Sequence, residues 1–589
     1  MVRVSFVPVL LGCLCLAGCS PNGSRESVGS GGSAGNGGTA GKGGSGGNAG
    51  NAGLGGGGGS SSRGGSTGNG GQSGSGGSSG SGGATGGTTS GGGSSGNGGS
   101  SASGGKTSSG GSSGNGGSTN AGGNKATGGT TASGGITSSG GTTASGGTMS
   151  TGGNNASGGS TGTGSCSITV TTSAPSSKIG TVGIVEWSTT LAGLNSAKIV
   201  YTLNNAGSTI LNKGGTAPVD LKKTNYHTLL LGLKPSSTYT FHVEATSSSG
   251  TTCKSSDGAL TTGTLSGAPT ITRTSTNATA QANGFIVTSG GQNGKGASII
   301  DADGTVVWYA DAPNQCSRAL MDYEGVNMWM MALNVQNGGG EMRYVSMDGQ
   351  TTAANVSGLS SAHHDFTVLP GKIATMVWTS TGMDPESNLV ERASDGTGST
   401  TTVFKIGSNL YAGGSSAFGG GSNTYHCNAI HYHPADDSYT IGDRNPNLYV
   451  KVKHDGTPVW QIGGSCTGAK APKCASGTWQ VNHGHDFDSN GNMLIFNNGQ
   501  SGASHVFELK LTESSSAITT TSVKDFAPGT TSNVLGDVQR LPNGNTLVTF
   551  STAGQILEVD ASWATVQTLK GSFGYADWRE TLYGAPTRD

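Results

Sequence analysis

Short stretches in which apolar and polar residues alternate dominate the chain from about residue 166 onwards. Segments 185–187, 198–201 and 239–243 place every second side chain on one face, which is the two-residue period of a half-buried β-strand. Apolar runs such as 493–496, bounded by turn residues, predict further buried strands. The folded part is therefore predicted to be all-β, with less than about a tenth of its residues in helices.

The first 18 residues have a different pattern, in which one apolar run follows Arg3 and ends just before Cys19. The run is too short to span a bilayer as a helix, so residues 1–18 are predicted to be a signal peptide. Leu16-Ala17-Gly18-Cys19 resembles a bacterial lipobox, which implies a lipid on Cys19. Ser20, rather than Asp, favours anchoring at the outer membrane, on its periplasmic face or at the cell surface. The alternative is ordinary secretion with an incidental cysteine.

Residues 19–165 consist almost entirely of Gly, Ser, Thr, Asn and Ala and hold most of the 113 glycines. Such a segment buries too little apolar surface to offset its ordering entropy, so a long disordered Gly/Ser/Thr-rich linker is predicted. Its root-mean-square reach is roughly 65 Å if it follows flexible-chain scaling. We interpret it as a tether to the membrane. The net charge of −1 gives no argument for binding nucleic acid.

Two β domains are predicted after the tether. In residues 166–263, the segment from Leu233 through Pro235 to Tyr239 resembles the Leu-x-Pro-x-x-x-Tyr corner of fibronectin type III domains, and the position of Trp187 fits that sandwich. In residues 266–589, Asp-Gly-Thr-Val-Val-Trp at 303–308 returns as Asp-Gly-Thr-Pro-Val-Trp at 455–460. Further Asp-Gly turns follow at intervals of 45 and 47 residues. This spacing is typical of four-stranded propeller blades, and the length predicts a six-bladed β-propeller.

Six cysteines remain once Cys19 and the two in the signal peptide are set aside. An even number in an exported protein indicates disulfides. Cys166 with Cys253 would bracket the sandwich, and Cys466 with Cys474 would close a short loop. The pair left over is Cys316 with Cys427.

Seven of the eleven histidines fall into three short segments of the propeller, at 363–364, 426–433 and 483–485. Inner strands of a propeller converge on a central channel, so residues from several blades can form one site. His426 and Asn428 are two apart on a predicted strand and therefore share a face. Arg444 follows at the end of the next predicted strand. An imidazole, an amide and a guanidinium suit a tetrahedral oxyanion such as sulfate or phosphate.

These residues resemble the bacterial arylsulfate sulfotransferases over roughly 266–589. The likeness rests on His-His-Asp at 363–365, on His-x-Asn at 426–428 with Arg444 18 residues after His426, and on the late histidine segment followed by Phe-x-Asn-Gly at 496–499. The family implies an exported six-bladed propeller. It also implies PAPS-independent transfer of a sulfuryl group between phenols through a sulfohistidine, with ping-pong kinetics and no cofactor. Asn497 departs from the family's usual aspartate and leaves the polarity of that loop open.

The resemblance also implies roles for individual residues. The nucleophile falls on His485, with His483 as the rival, because the predicted Cys466–Cys474 loop precedes it as in the family. His364 or His363 exchanges the phenolic proton, with His364 preferred. The sulfuryl oxygens fall to His426, Asn428 and Arg444. An aryl sulfate donor and a phenolic acceptor are the implied partners, and the membrane is reached through the lipid alone.

Three further interpretations concern neighbouring residues and rival functions. Asp365 and Asp486 could orient an imidazole or merely cap a turn, and Phe366, Trp378 and Tyr425 are candidate walls for a phenol. A metal-dependent hydrolase or lyase also uses histidines at a propeller axis, but Arg444 and the scarcity of acidic ligands weigh against it. A non-enzymatic propeller for adhesion would suit the tether equally well.

Overall fold

The computed structural model describes residues 166–334, 339–381, 384–416 and 421–587. The predictions for the signal peptide, Cys19 and the tether (1–165) lie outside the described residues. Within the described ranges the secondary structure is β-strand apart from one 3-10 turn at Thr224–Tyr226, which confirms the all-β prediction. No helix of the described residues is long and apolar enough to cross a membrane.

The first eight strands form a small two-sheet sandwich. They are β1 (Ile168–Pro175), β2 (Gly183–Thr189), β3 (Leu194–Leu203), β4 (Gly214–Pro218), β5 (Thr228–Leu230), β6 (Thr238–Ser247), β7 (Thr252–Lys254) and β8 (Gly258–Thr261). One sheet has the order β1-β2-β5 and the other β4-β3-β6-β7, with β8 also paired to β6. Trp187 and Tyr239 are buried between them, and Tyr239 Oη accepts a hydrogen bond of 2.8 Å from the Lys234 amide. This corner bond is the feature that the fibronectin-like motif predicted.

The remaining strands build the propeller. In chain order they are β9 (Thr272–Ser275), β10 (Phe285–Ser289), β11 (Gly291–Asp301), β12 (Val306–Met321), β13 (Asn327–Asn334), β14 (Gly339–Ser346), β15 (Thr352–Ala353), β16 (Ala362–Leu369), β17 (Lys372–Trp378), β18 (Ser387–Ala393), β19 (Thr401–Ile406), β20 (Cys427–His433), β21 (Ser438–Asp443), β22 (Leu448–Lys453), β23 (Pro458–Gly463), β24 (Cys474–Ala475), β25 (Asn482–Phe487), β26 (Met493–Asn497), β27 (His505–Glu513), β28 (Ile518–Phe526), β29 (Asp537–Arg540), β30 (Thr546–Phe550), β31 (Gln555–Val559), β32 (Thr565–Lys570) and β33 (Ala576–Arg579).

Six antiparallel blades follow from the pairing of these strands. Blade 1 is β33-β10-β11 with the first half of β12, and blade 2 is the second half of β12 with β13, β14 and β15. Blades 3 to 6 begin at β16, β20, β25 and β29, and each continues outward in chain order. The innermost strands contact one another around the axis. The prediction of a six-bladed propeller after a sandwich is confirmed.

Both ends of the propeller segment help to close the ring. The late strand β33 pairs with β10 as the innermost strand of blade 1, and the early strand β9 pairs with β32 as the outermost strand of blade 6. The innermost strand of blade 1 therefore comes from residues almost 300 positions later in the chain than β10, the strand beside it. Local sequence pattern cannot reveal such a pairing.

The sandwich packs directly on the propeller. Lys234 is buried and forms ion pairs with Asp301 and, at 2.9 Å, with Asp303 at the first Asp-Gly turn. The hydroxyl of Thr181 donates a hydrogen bond of 2.6 Å to the Val307 carbonyl. Removing one partner of a buried charged pair is strongly destabilising, so these contacts hold the two domains together.

Both predicted disulfides are present, Cys166–Cys253 across the sandwich and Cys466–Cys474 beside blade 4. The leftover pair is not bridged, because Cys316 and Cys427 are separate buried thiols. Cys427 Sγ lies 3.1 Å from the hydroxyl of Tyr411, and its pKa is raised by burial. The prediction of a Cys316–Cys427 disulfide is therefore wrong.

Candidate active site

The candidate site lies where the innermost strands begin, and a β-bulge marks this level in four consecutive blades. Ladder register shifts occur in β12 between Cys316 and Arg318, in β16 between Ala362 and Phe366, in β20 between Cys427 and Ala429, and in β25 between Asn482 and His485. A bulge breaks the strict alternation of side chains and re-aims them locally. The sequence of each inner strand therefore presents to the channel a set of side chains that a regular strand would divide between two faces.

The bulge in β16 brings two consecutive histidines into one place. His364 has a backbone φ of 57°, which is rare for a residue with a side chain and typical of strained functional positions. The imidazoles of His363 and His364 meet edge to face, with centroids 4.2 Å apart. Both histidines that the sequence offered for the phenolic proton therefore lie side by side.

Four imidazoles form this cluster, from His363, His364, His426 and His483. Ring centroids are 4.6 Å apart for His363 and His426, 5.0 Å for His364 and His426, and 5.7 Å for His364 and His483. His364 Nε2 lies 3.0 Å from His426 Nε2. We call these four residues the histidine cluster.

Hydrogen bonds fix the tautomer of three members of the cluster. His363 Nδ1 donates to the carbonyl oxygen of Cys427 at 3.1 Å, and His426 Nδ1 donates to the carboxylate of Asp384 at 2.6 Å. His483 Nδ1 lies 2.5 Å from Asn498 Oδ1. A carbonyl oxygen and a carboxylate can only accept, so Nδ1 carries the proton and Nε2 keeps its lone pair.

The orientation of Asn498 is itself determined by its surroundings. Its amide nitrogen donates to the backbone carbonyls of Ser532 at 2.6 Å and Leu535 at 2.7 Å, so its oxygen must face His483. Among the described residues, His483 Nε2 has no hydrogen-bond partner although it is buried. The result is a neutral imidazole with a lone pair available in a water-poor site.

Arg444 supplies a fixed positive charge beside the cluster. Its side chain is buried, its amide donates to the His426 carbonyl at 3.1 Å, and Nη2 lies 3.9 Å from Asp384. Burial, more than the nearby guanidinium, lowers the pKa of His483 to about 3, and burial also holds the pKa of His426 well below its ordinary value. The imidazoles are therefore neutral near pH 7, while Arg444 can attract an anion.

Asn428 is fully buried and lies next to the cluster in a defined orientation. Its amide nitrogen donates to the Asn482 carbonyl at 2.7 Å, so one N–H is committed to the neighbouring blade. Its Oδ1 has no hydrogen-bond partner among the described residues. This orientation leaves the second N–H and the oxygen of the Asn428 amide outside the contact with Asn482.

The structure places His483, not His485, in the cluster. Two residues apart on a regular strand would share a face, but the bulge in β25 separates these two. His485 packs instead beside Tyr449, with centroids 4.9 Å apart, and 6.1 Å from His431. The sequence assigned the nucleophile to His485 with His483 as the rival, and the structure brings the rival, His483, into the cluster.

The disulfide loop lies at the outer edge of blade 4. Cys474 belongs to β24, which pairs with β23, whereas the innermost strand of that blade is β20. The departure at Asn497 has a simple structural role, since its Oδ1 accepts the Gln480 amide at 2.8 Å. An aspartate would accept the same bond, so this backbone contact does not depend on which of the two residues stands at 497.

Below the cluster, a buried ion network ties the blades together. Arg318 donates to Asp365 at 2.6 Å and to Asp537 at 2.6 Å, and its guanidinium lies 4.6 Å from the centre of the Tyr575 ring. Asp365 also accepts the Ile430 amide. Asp365 therefore anchors three inner strands and does not orient an imidazole.

Of the candidate walls for a phenol, Trp378 contacts the cluster. Its ring lies 4.2 Å from that of His363, centroid to centroid, with an angle of 32° between the planes. Phe366 and Tyr425 lie in hydrophobic cores of the blades. Asp486 accepts the Arg540 amide, away from the cluster.

Two supporting residues escaped the sequence analysis. Asp384 lies 42 positions before His426 in a hairpin of blade 3, so no local spacing links them. Asn498 lies inside the Phe-Asn-Asn-Gly segment, which carries part of the family resemblance but did not predict the side-chain contact with His483. The sequence signal for such a supporting residue was a polar side chain at a turn next to a strand that carries histidines.

A comparison with a family model covers the part of this site that lies in residues 414–571, which leaves out His363, His364 and Asp384. Residues 414–571, which include His426, Asn428, Arg444 and His483, match the family model "Arylsulfotransferase (ASST)". The resemblance drawn from the sequence is confirmed, and the match supports aryl sulfotransferase activity on small aryl substrates. No curated protein matches the chain.

Solved structures include several with a low-level likeness. A streptogramin B lyase is 14% identical, with a TM-score of 0.31 over 50% of this chain and 86% of its own. A nidogen/laminin complex is 10% identical, with a TM-score of 0.33 over 50% and 97%. A virginiamycin B lyase from Staphylococcus aureus is 13% identical, with a TM-score of 0.31 over 51% and 88%. These values carry no argument about activity.

Proposed function

We propose that the protein, whose residues 414–571 match the arylsulfotransferase model, transfers a sulfuryl group from a phenolic sulfate ester to a phenol without a nucleotide donor. The transfer has two steps and passes through an N-sulfohistidine at His483. The observation that carries the proposal is the oriented lone pair of His483 Nε2, buried beside Arg444 and three other imidazoles. The reaction exchanges one aryl sulfate for another, so it needs no cofactor as an energy source.

In the first step, the Nε2 lone pair of His483 attacks the sulfur of the aryl sulfate. The N–S bond forms while the bond between sulfur and the aryl oxygen breaks, and the phenol leaves. The second step reverses this sequence with an acceptor phenol, which gives ping-pong kinetics. The Nδ1–H of His483, held by Asn498, stabilises the positive charge that the ring acquires during attack.

The phenolic proton is assigned to His364. Among the described residues its Nδ1 has no hydrogen-bond partner, while its Nε2 faces His426. An anionic ester bound beside it raises the affinity of the ring for a proton, against the lowering effect of burial. His364 then gives this proton to the leaving phenolate and takes one from the acceptor.

The peripheral oxygens of the sulfuryl group are assigned to Arg444 and Asn428. The sequence also predicted His426 for this role, but its one N–H is committed to Asp384 and its Nε2 carries a lone pair. Arg444 offers a guanidinium fork, which suits a tetrahedral anion. Asn428 offers its second N–H, since the first is bound to Asn482. His426 is held in place by Asp384, and Trp378 offers an aromatic surface for the phenol ring. Donors fixed before the reaction stabilise the transition state without reorganisation.

Turnover of a chromogenic aryl sulfate tests the proposal. Purified protein is mixed with 4-nitrophenyl sulfate and phenol, without any nucleotide, and release of 4-nitrophenol is followed together with formation of phenyl sulfate. Double-reciprocal plots at several phenol concentrations should be parallel. A protein with native spectra that releases no phenol from a panel of aryl sulfates would favour the adhesion alternative, since the tether and sandwich suit that role as well.

We also propose export and a lipid anchor on Cys19, with residues 19–165 as the tether. Two disulfides in the described domains fit an oxidising compartment. Metabolic labelling with a radioactive fatty acid should mark the parent chain and spare a Cys19→Ala variant. Equal labelling of both chains would refute the anchor.

A further inference from the structure

We propose that the histidine cluster also binds a divalent transition-metal ion, Zn²⁺, and that bound zinc blocks sulfuryl transfer. The metal site itself depends only on the geometry of the cluster. The inhibition rests on the function proposed above. The two parts are therefore tested by different measurements.

Three imidazoles provide the ligand set. One nitrogen each from His363, His364 and His426 lies within 4.8 Å of the others. His364 Nε2 and His426 Nε2 are 3.0 Å apart. Two imidazoles bound tetrahedrally at about 2.0–2.1 Å from zinc have nitrogens roughly 3.3–3.4 Å apart. The His364–His426 pair therefore has to open by only a few tenths of an ångström, while the His363 nitrogen, within 4.8 Å, has to approach by up to roughly 1.4 Å.

The outer contacts of these rings are those that a zinc-binding histidine needs. Metal-bound imidazoles donate the other ring N–H to a carboxylate or a backbone carbonyl, which fixes the tautomer and ring orientation. His426 does so to Asp384, and His363 does so to the carbonyl of Cys427. With Nδ1 protonated, each ring carries its lone pair on Nε2, and in His426 this nitrogen faces His364 Nε2.

The contact between His364 and His426 also favours a metal ion between the two rings. With Nδ1 of His426 protonated, its Nε2 is an acceptor, so the 3.0 Å contact requires a proton on His364 Nε2. A zinc ion at this point binds both Nε2 lone pairs, and the proton on His364 Nε2 moves to Nδ1 of the same ring, so that His364 stays neutral. The fourth position of a tetrahedral ion would fall to water or to His483 Nε2, which has no hydrogen-bond partner among the described residues.

Charge and ligand type select the ion. Arg444 opposes a cation, but the Asp384 carboxylate lies 3.9 Å from its Nη2 and offsets part of that charge. Ca²⁺ and Mg²⁺ prefer oxygen ligands, which this set does not offer, whereas neutral imidazoles suit zinc. The ion would lie among the imidazoles, where His364 exchanges the phenolic proton and His483 Nε2 attacks the ester, so zinc and an aryl sulfate should exclude each other.

Calorimetric titration of zinc chloride into the full chain tests the site. The protein is prepared without a polyhistidine tag and freed of metal with a chelator. We expect one equivalent to bind tightly, and a zinc-edge absorption spectrum to show at least three nitrogen ligands at about 2.0–2.1 Å. His364→Ala should abolish this isotherm, and Asp384→Asn should weaken it by about 10–100-fold.

His485→Ala is the matched control, because His485 is buried one bulge away but lies outside the cluster. It should bind zinc as the parent does. Unchanged one-to-one binding by His364→Ala, or no isotherm for the parent, would overturn the metal site. Thermal unfolding curves show whether each variant folds. If His364→Ala does not fold, the zinc affinity of Asp384→Asn is compared with that of the parent instead.

Steady-state kinetics tests the inhibition. Zinc should raise the apparent KM for the aryl sulfate without lowering kcat, and added chelator should reverse the effect. Full turnover at zinc concentrations that saturate the calorimetric isotherm would overturn mutual exclusion. In a protein that turns over no aryl sulfate, the isotherm and the zinc-edge spectrum still decide the metal site.

Discussion

Two replacements of Asn498 distinguish its effect on the orientation of His483 from its effect on the stability of the fold. Asn498 makes two kinds of contact, since its oxygen accepts from His483 and its nitrogen donates to Ser532 and Leu535. Asn498→Leu removes all of them. Asn498→Asp removes the two donated bonds but keeps an oxygen for the His483 ring.

The magnitudes follow from these contacts. Each variant leaves the Leu535 carbonyl without a donor, at about 1–3 kcal/mol, and removes one of two bonds to the Ser532 carbonyl, which keeps the Ser504 hydroxyl, at about 0.5–1.5 kcal/mol. Both variants should therefore lose roughly 1.5–4.5 kcal/mol of unfolding free energy. The bond to His483 becomes a bond to a charged group as the ring attacks, and such bonds contribute about 1.5–3 kcal/mol. With about 1.4 kcal/mol per tenfold change, Asn498→Leu should lower the rate of the first step roughly 10–150-fold.

The assay combines denaturant unfolding with rapid mixing of enzyme and 4-nitrophenyl sulfate. We expect similar stability losses in the two variants, but a phenol burst for Asn498→Asp within about tenfold of the parent. Measurements are made well below both unfolding midpoints. Equal bursts from the Leu and Asp variants, with both folded, would refute the role of Asn498 in orienting His483.

Three other predictions concern separate parts of the molecule. His364→Ala should slow turnover about 10²–10⁴-fold for esters of weakly acidic phenols, and much less for 4-nitrophenyl sulfate, because a good leaving group needs no proton; equal losses for both esters would contradict the assignment. Arg444→Ala should reduce the rate about 10²–10³-fold while still allowing slow labelling of the protein, and an undiminished rate would exclude it as an oxyanion donor. The Cys466→Ser, Cys474→Ser double variant, which opens a loop with a sequence separation of 8, should lose about 2–3 kcal/mol of stability in denaturant and keep its activity. A large loss of activity at full stability would mean that the loop shapes the site.

Features carried by local pattern were predictable from the sequence. The Asp-Gly turns recur because each blade needs a tight hairpin, and together with strand periodicity they give a six-bladed propeller. The pairing of Cys166 with Cys253 followed from their positions around one domain. His426, Asn428 and Arg444 were recognisable because a strand and its hairpin partner preserve their spacing.

Features that depend on bulges and on contacts between blades were not predictable. His483 and His485 are indistinguishable under strict two-residue alternation, and a single bulge separates them. Asp384 reaches His426 across 42 residues, and the Arg318 network joins strands up to 219 residues apart. Such contacts are set by the closure of the ring and leave no signal in local spacing.

Covalent labelling of His483 tests the central claim most directly. The protein is mixed with an aryl sulfate in the absence of acceptor, quenched at alkaline pH, and examined by intact mass and peptide mapping. We predict a mass gain of one sulfuryl group on the peptide that contains His483, its loss on addition of phenol, its absence in His483→Ala and its persistence in His485→Ala. A label on His485, or turnover that proceeds at full rate in His483→Ala, would contradict the account.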